Sequence, residues 1–198
     1  MKDKIISKAA DMFLKLGFKS VTMDDIASEM CISKKTIYKF FSNKETLIRA
    51  STFVIHEKVH RVIDEIVAKN YNAIEENFEI RKIFKEMFQS YDNSPLYQLK
   101  KHYPEIYNQL IETEIEDCNE MFGQNIQKGI KEGLYRKEVH IPTYIQFYYT
   151  LIFSINGNTQ FESDTLKLEL EALEYHTRAL ATSKGVKELE KQLLKYNN

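Results

Sequence analysis

The chain has 198 residues, 43% of them hydrophobic, and a formal net charge of −1, which is length enough for a real core and too balanced a charge for the whole molecule to bind nucleic acid nonspecifically. The charge is uneven: residues 1 to 50 hold ten bases and six acids, about +4, leaving about −5 for the remainder. A basic head on an acidic body is the electrostatic layout of a DNA reader with a separate second function.

No run approaches the roughly 20 apolar residues of a membrane span, and no amino-terminal stretch has the apolar region of a signal peptide. Cys31 and Cys118 lie far apart without metal-type spacing, so no disulfide framework is expected and the location expected is cytoplasmic, with no membrane partner.

With three prolines and six glycines, and apolar residues recurring at spacings of three and four, the chain reads as all-α with about nine to ten helices. Ile5, Ile6, Ala9, Met12, Phe13 and Leu16 form one stripe of a first helix that stops at Gly17. Thr22 opens a second, with Asp25 at capping-box spacing and Ile26, Ala27 and Met30 as its buried face. Ser33 opens a third, with Ile37 and Phe40 facing inward. A fourth begins at Ser42, which has Glu45 at capping-box spacing, or at Asn43. Its stripe of Leu47, Ser51, Val54, Val59, Val62, Ile63 and Ile66 makes a rigid arm toward Asn70. Further helices are expected over 72 to 91, 95 to 102 and 104 to 132, with Pro95 and Pro104 in first turns and Gly133 as a stop. The apolar segment 141 to 157 starts with Pro142, and after a polar break at 158 to 163 two helices, 165 to 182 and 187 to 196, complete the chain.

The third helix carries Lys34 and Lys35 in its first turn. A helix N-terminus bears partial positive charge, so that turn ordinarily favours Asp or Glu. Breaking the rule costs a few tenths of a kcal/mol per charge, and it suggests a polyanion gripped by the lysines and by bare N–H groups. DNA phosphate is the leading candidate.

Two short helices joined by a tight turn need a small residue on the first, a turn residue four later, and an apolar residue on the second. Ala27, Cys31 and Ile37 supply these. Glycine is the usual turn residue, and Cys31 should cost about 1 kcal/mol if it adopts the left-handed conformation. Here the sequence resembles the tetracycline-repressor (TetR) family of bacterial transcription regulators. The resemblance covers residues 5 to 50: the first stripe ending in Gly17-Phe18, the Thr22 cap, Ile26-Ala27, Ser33-Lys34-Lys35-Thr36-Ile37-Tyr38, Phe40-Phe41, and Lys44-Glu45 before Leu47.

The resemblance implies a DNA-binding domain over 1–46 and a helical effector-binding and dimerisation domain over 47–198. It assigns the recognition helix to Lys34 through Phe40, with Lys34, Lys35, Thr36 and Lys39 facing the major groove or its phosphates, capped by Ser33. Tyr38 would touch a phosphate through its hydroxyl, Lys44 at the start of the fourth helix would clamp another, and Thr22 would do the same from the second. The expected function is a ligand-responsive repressor binding a near-palindromic operator as a homodimer, with recognition helices about 34 Å apart. An effector would move the long fourth helix and shift the population toward a weaker-binding state.

Residues 56 to 60 read His-Glu-Lys-Val-His, the H-E-x-x-H pattern of zinc metalloproteases. Histidines four apart share a helical face and could hold zinc with Glu57 as general base, with Glu79 a place to seek a third ligand. Glu57-x-x-His60 is also half of the di-iron motif of helical bundles. A metal-binding helical enzyme or metal sensor is therefore the alternative. Against an enzyme stand the lack of a second Glu-x-x-His, of a flanking sheet, of a Ser-His-Asp set and of a glycine-rich phosphate loop. The expectation is a non-enzyme with no cofactor and no metal.

Twelve Phe and twelve Tyr give the body mostly core material, yet buried tyrosines are also compatible with an apolar cavity that has a few polar anchors. By resemblance such a pocket takes a small effector, expected to be apolar or aromatic, and the candidate lining is Phe84, Phe88, Tyr103, Tyr107, Phe122, Phe147 and Tyr148. Segment 141 to 157 is apolar around most of its circumference and should be covered twice, by its own domain and by a second copy. By the same resemblance it would form, with the helix over 165 to 182, a four-helix dimer interface through Tyr144, Tyr148, Leu151, Ile155, Leu166, Leu170 and Leu173; packing against the tail helix 187 to 196 within one copy is the alternative. For Cys31, buried tertiary contacts are expected in preference to redox control.

Overall fold

A computed structural model describes residues 1–88 and 94–196, apart from the side chains of Phe88 and Cys118, and the described residues form ten helices. The first, α1 (Lys2–Leu16), buries Ile5, Ile6, Ala9, Met12 and Phe13. It stops at Gly17, whose φ of 92° suits glycine. A Cβ there would also meet Gln98 Oε1 at 2.6 Å and push that side chain aside. Thr22 and Asp25 form a reciprocal capping box on α2 (Met23–Glu29). Ser33 caps α3 (Lys34–Tyr38).

Of the two caps considered for α4 (Lys44–Val67), Asn43 is used, reciprocally with Thr46. The arm ends at Val67, and Asn70 takes a φ of 55° in the turn that follows, a conformation Asn tolerates better than most residues. Next come α5 (Ala73–Phe88), α6 (Pro95–His102), α7 (Pro104–Lys131), α8 (Ile141–Asn158), α9 (Glu162–Leu180) and α10 (Ser183–Tyr196). The expected helix over 72 to 91 extends in part outside the described residues.

The last two helices start earlier than their apolar stripes suggest. The polar cluster before α9 is itself helical from Glu162, because Glu162 and Asp164 occupy the first turn where acids are favoured. Thr182 Oγ1 accepts from Gly185 N and starts α10. A Cβ at Gly185 would meet the Leu134 carbonyl at 2.1 Å, so this glycine serves close packing inside a helix. Gly129 does the same for Tyr135, whose ring a Cβ would meet at 2.1 Å.

Two hydrophobic cores result. One joins α1 to α4 through Ile5, Phe13, Ile26, Ile37, Leu47 and Ile48, and continues into Leu99, Ile106 and Tyr107 of α6 and α7. The other joins α5 and α7 to α10 through Ile74, Phe78, Ile126, Tyr135, Leu173 and Leu189. Phe40 was expected inside, but it is 42% exposed and Phe41 is buried in its place. The cause is that α3 stops at Tyr38, where Phe40 N donates to the Ile37 carbonyl and the helical phase is lost.

Candidate functional site

The head presents α3 through a turn whose geometry the sequence dictates. Ala27 is buried beneath the turn, Ile32 N donates to the Ala27 carbonyl at 3.0 Å, and Cys31 takes a φ of 53°. Cys31 therefore adopts the left-handed conformation that glycine would enter without strain, at a cost of about 1 kcal/mol. Its side chain is exposed, so it does not serve the buried contacts expected of it. Ile37 is fully enclosed and anchors α3 to the core, burial that stabilises by about 1.5–3 kcal/mol.

Above that anchor the candidate residues separate into two groups. Lys35, Tyr38 and Lys39 are exposed, and among the described residues Lys35 and Lys39 form no ion pair. The remaining candidates are engaged locally. Lys34 Nζ lies 2.7 Å from Asp24 Oδ2, a hydrogen bond that raises the lysine pKa and supplies the carboxylate missing from the first turn of α3. Ser33 Oγ accepts from Thr36 N and lies 2.8 Å from Thr36 Oγ1, so that N–H is not bare. With five residues, α3 is also too short for a large dipole, and an anion would be held by side chains more than by the helix tip. The Thr22 hydroxyl donates to Asp25 Oδ2 and accepts from Asp25 N.

Lys44 departs furthest from expectation. Its ammonium donates to the Lys19 carbonyl at 3.0 Å and sits over the rings of Phe13 and Tyr103 at 5.9 and 5.8 Å. Burial lowers its pKa. The side chain is turned toward the junction of head and body, because two aromatic faces and a carbonyl are available there. Phe18 N donates to Gln98 Oε1 at 3.0 Å and the Tyr103 hydroxyl donates to the Phe18 carbonyl, so the same junction couples α6 and its following turn to the head backbone.

Among α4 to α9 lies a partly open cavity of about 260 Å³ that reaches Leu14 and Phe18 of the head, with walls that include Ile80, Phe84, Phe122, Tyr148, Ile152 and Phe153. Of the expected lining, Phe84, Phe122 and Tyr148 are present. Tyr103 and Tyr107 instead pack on the head core, Phe147 is 61% exposed, and the Phe88 side chain lies outside the described residues. Aromatic content marks burial but not which side of a helix a residue occupies.

The same ambiguity affects the expected dimer set. Tyr148 and Leu173 are buried within the protomer and line the cavity with Leu166, while Tyr144, Ile155 and Leu170 pack partly on the body core. The outward apolar side chains of α8 and α9 are Phe147, Leu151, Leu168 and Tyr175.

One part of the cavity wall is charged. Arg81 is buried with one Nη paired to Glu169 and the other donating to the Leu166 carbonyl at 2.7 Å. Glu162 is buried beside them, and burial, reinforced by the Glu169 charge, pushes its carboxyl up to about 8. It is therefore protonated at neutral pH. Within the described residues Arg81 Nε and Glu162 Oε2 make no hydrogen bond, which marks where a ligand could supply one. Sequence reasoning missed these groups, although Glu162, Thr165, Glu169 and Leu173 share a helical face and acids in such a buried stripe are a signal in themselves.

At another part of the wall lies His56, which shares one side of α4 with His60, and Glu114 of α7 reaches both. Their ligand atoms lie within 4.8 Å of one another. Hydrogen bonding to Glu114 raises the His60 pKa. Glu57 lies on the exposed side of α4, away from that cluster, and the third acid is Glu114 where Glu79 was expected. Among the described residues no helix is long and apolar enough to cross a membrane.

Residues 5–51 match the family model described as bacterial regulatory proteins, tetR family. The chain is 27% identical over 124 residues to the biofilm operon icaADBC HTH-type negative transcriptional regulator IcaR of Staphylococcus aureus strain Newman. That match covers 63% of this chain and 61% of IcaR, less than two thirds of its length. A transcriptional regulator from Cytophaga hutchinsonii superposes with a TM-score of 0.73 at 21% identity, over 91% of this chain and 98% of the other. A gamma-butyrolactone receptor described as ArpA-like superposes at 0.64 and 13% identity, over 98% and 95%. Both likenesses show the fold.

Proposed function

From the match of residues 5–51 to the tetR family model and the helix-turn-helix geometry, we propose that the chain is a tetR-type ligand-responsive transcriptional repressor that binds a near-palindromic duplex as a homodimer. The observation that carries this reading is the outward array of Lys35, Tyr38 and Lys39 on the second helix of the helix-turn-helix, held by the enclosed Ile37. Lysine can donate to guanine edges or phosphates, and the tyrosine hydroxyl to a phosphate. Thr36 offers a half-buried hydroxyl at the edge of that array, and Lys34 does so only by leaving Asp24. The negative regulator IcaR favours repression as the sign of control.

Dimerisation is assigned to the outward faces of α8 and α9, with Phe147, Leu151, Leu168 and Tyr175 at their centre. Large apolar side chains exposed together on neighbouring helices fit a partner surface. The effector is assigned to the inner cavity: a mostly apolar small molecule with one polar end that reaches Arg81 and Glu162. Filling that cavity displaces α6, which lines it through Pro95, Leu96 and Leu99 and holds the head through Gln98. The effector weakens DNA binding by its differential affinity for the two arrangements.

Selection from a random duplex pool tests the reading, with an inverted-repeat consensus expected. Lys35→Ala and Lys39→Ala should each weaken binding and lower the salt dependence by about one phosphate contact. Wild-type affinity in both variants would contradict the placement of the recognition surface.

A further inference from the structure

The histidine pair on α4 acquires chemistry only through the fold, because its carboxylate partner comes from a helix more than fifty residues away in sequence. His56 is nine-tenths buried, and its Nε2 lies 3.2 Å from Glu114 Oε1 and 3.5 Å from Asp117 Oδ2. His60 Nε2 lies 3.4 Å from the other Glu114 oxygen. The two rings are 4.3 Å apart between centroids.

Metal–ligand bonds of about 2.0–2.1 Å in tetrahedral geometry put neighbouring ligand atoms about 3.3–3.4 Å apart. The spacings around Glu114 are already of that size. A simple histidine–carboxylate ion pair explains His60, which shares a hydrogen bond with Glu114, but it explains His56 poorly. His56 Nε2 is buried next to two carboxylates without an aligned hydrogen bond to either. A buried imidazole nitrogen directed into a carboxylate cluster without such a bond is what a cation would complete.

We propose that His56, His60 and Glu114 bind one divalent transition-metal ion of the zinc class, with Asp117 as a fourth donor. Two imidazoles and a carboxylate suit zinc, cobalt, nickel or iron better than magnesium or calcium, which prefer all-oxygen shells. Asp117 is about half exposed and offers the route of entry from solvent. His56 and Glu114 also line the inner cavity, so the ion faces the space assigned to the effector.

The ion ties α4, the arm of the head, to α7 of the body. It gives no protease-like centre, because Glu57 lies on the exposed side of α4. The site does not depend on the DNA-binding proposal, and its test uses no DNA.

The full chain, treated with a chelator and exchanged into metal-free buffer, is titrated with Zn²⁺ by calorimetry and with Co²⁺ by visible absorption. One ion per chain, the d–d bands of low-symmetry Co²⁺ and a Tm that rises with Zn²⁺ concentration are expected. His60→Ala and Glu114→Gln should each lower affinity by more than about tenfold, and Glu57→Gln should leave it unchanged. If either variant fails to fold by circular dichroism, nitrogen-15 NMR of the unaltered chain decides, with two of its five histidines shifting on Zn²⁺ addition. Absence of heat and absorption, wild-type affinity in both folded variants, or no histidine shift overturns the proposal.

Discussion

In the head, Ile5, Ala9, Phe13, Ile26 and Ile37 are fully enclosed around a short turn. The body uses longer helices, yet those helices surround a cavity whose wall carries Arg81, Glu162 and Glu169. The head is packed to hold α3 in one pose, whereas the body keeps space and buried charge at some cost to its own stability. The contrast separates a part selected for rigidity from a part that can exchange one packing for another.

Truncating enclosed apolar side chains in the two regions gives the largest expected effect. Ile37→Ala should destabilise the chain by about 2–5 kcal/mol in denaturant unfolding, because its side chain is fully enclosed in the core. Ile152→Ala, at the cavity wall, should cost less than about half as much, since its side chain already borders space. Equal losses would remove the distinction between a filled head and a hollow body.

A second test concerns the charge kept inside the body. The folded carboxyl of Glu162 is raised from 4.5 to about 8, so the folded chain holds a proton that the unfolded chain releases. That contribution is fully present below about pH 4.5 and is lost as pH rises through about 8. Glu162→Gln should therefore flatten the fall in stability across this window. An unchanged pH profile would show that Glu162 ionises freely.

The smallest effect is expected at the strained turn. Cys31→Gly should stabilise the chain by up to about 1 kcal/mol, relieving the left-handed backbone while adding some unfolded-state entropy. A loss of stability would mean that the cysteine side chain contributes more than its exposure indicates.

The head was the more legible region because its determinants are local. Caps at Thr22 and Ser33, the stop at Gly17, and the Ala27–Cys31–Ile37 spacing act within a few residues and can be read along the chain. Phe40 was misplaced because a five-residue helix does not keep its phase. Lys44 was misplaced because its partners, Phe13, Lys19 and Tyr103, come from three separate segments.

The body's helices were legible from apolar periodicity, but its cavity was not. Tyr103 and Tyr148 have the same chemistry, and only the crossing of helices sends one to the head junction and the other to the cavity. Glu114 could not be matched to His56 and His60 from spacing, because the pairing depends on how α4 lies against α7.

The central claim is that the surface of Lys35, Tyr38 and Lys39 reads duplex DNA in two copies. Its most direct test is binding of the full chain to duplexes drawn from a random pool, followed over a range of salt concentrations. The account predicts an inverted-repeat consensus, with affinity that falls steeply as salt rises and is weakened by Lys35→Ala and Lys39→Ala. No duplex binding at low ionic strength and without added effector would contradict it.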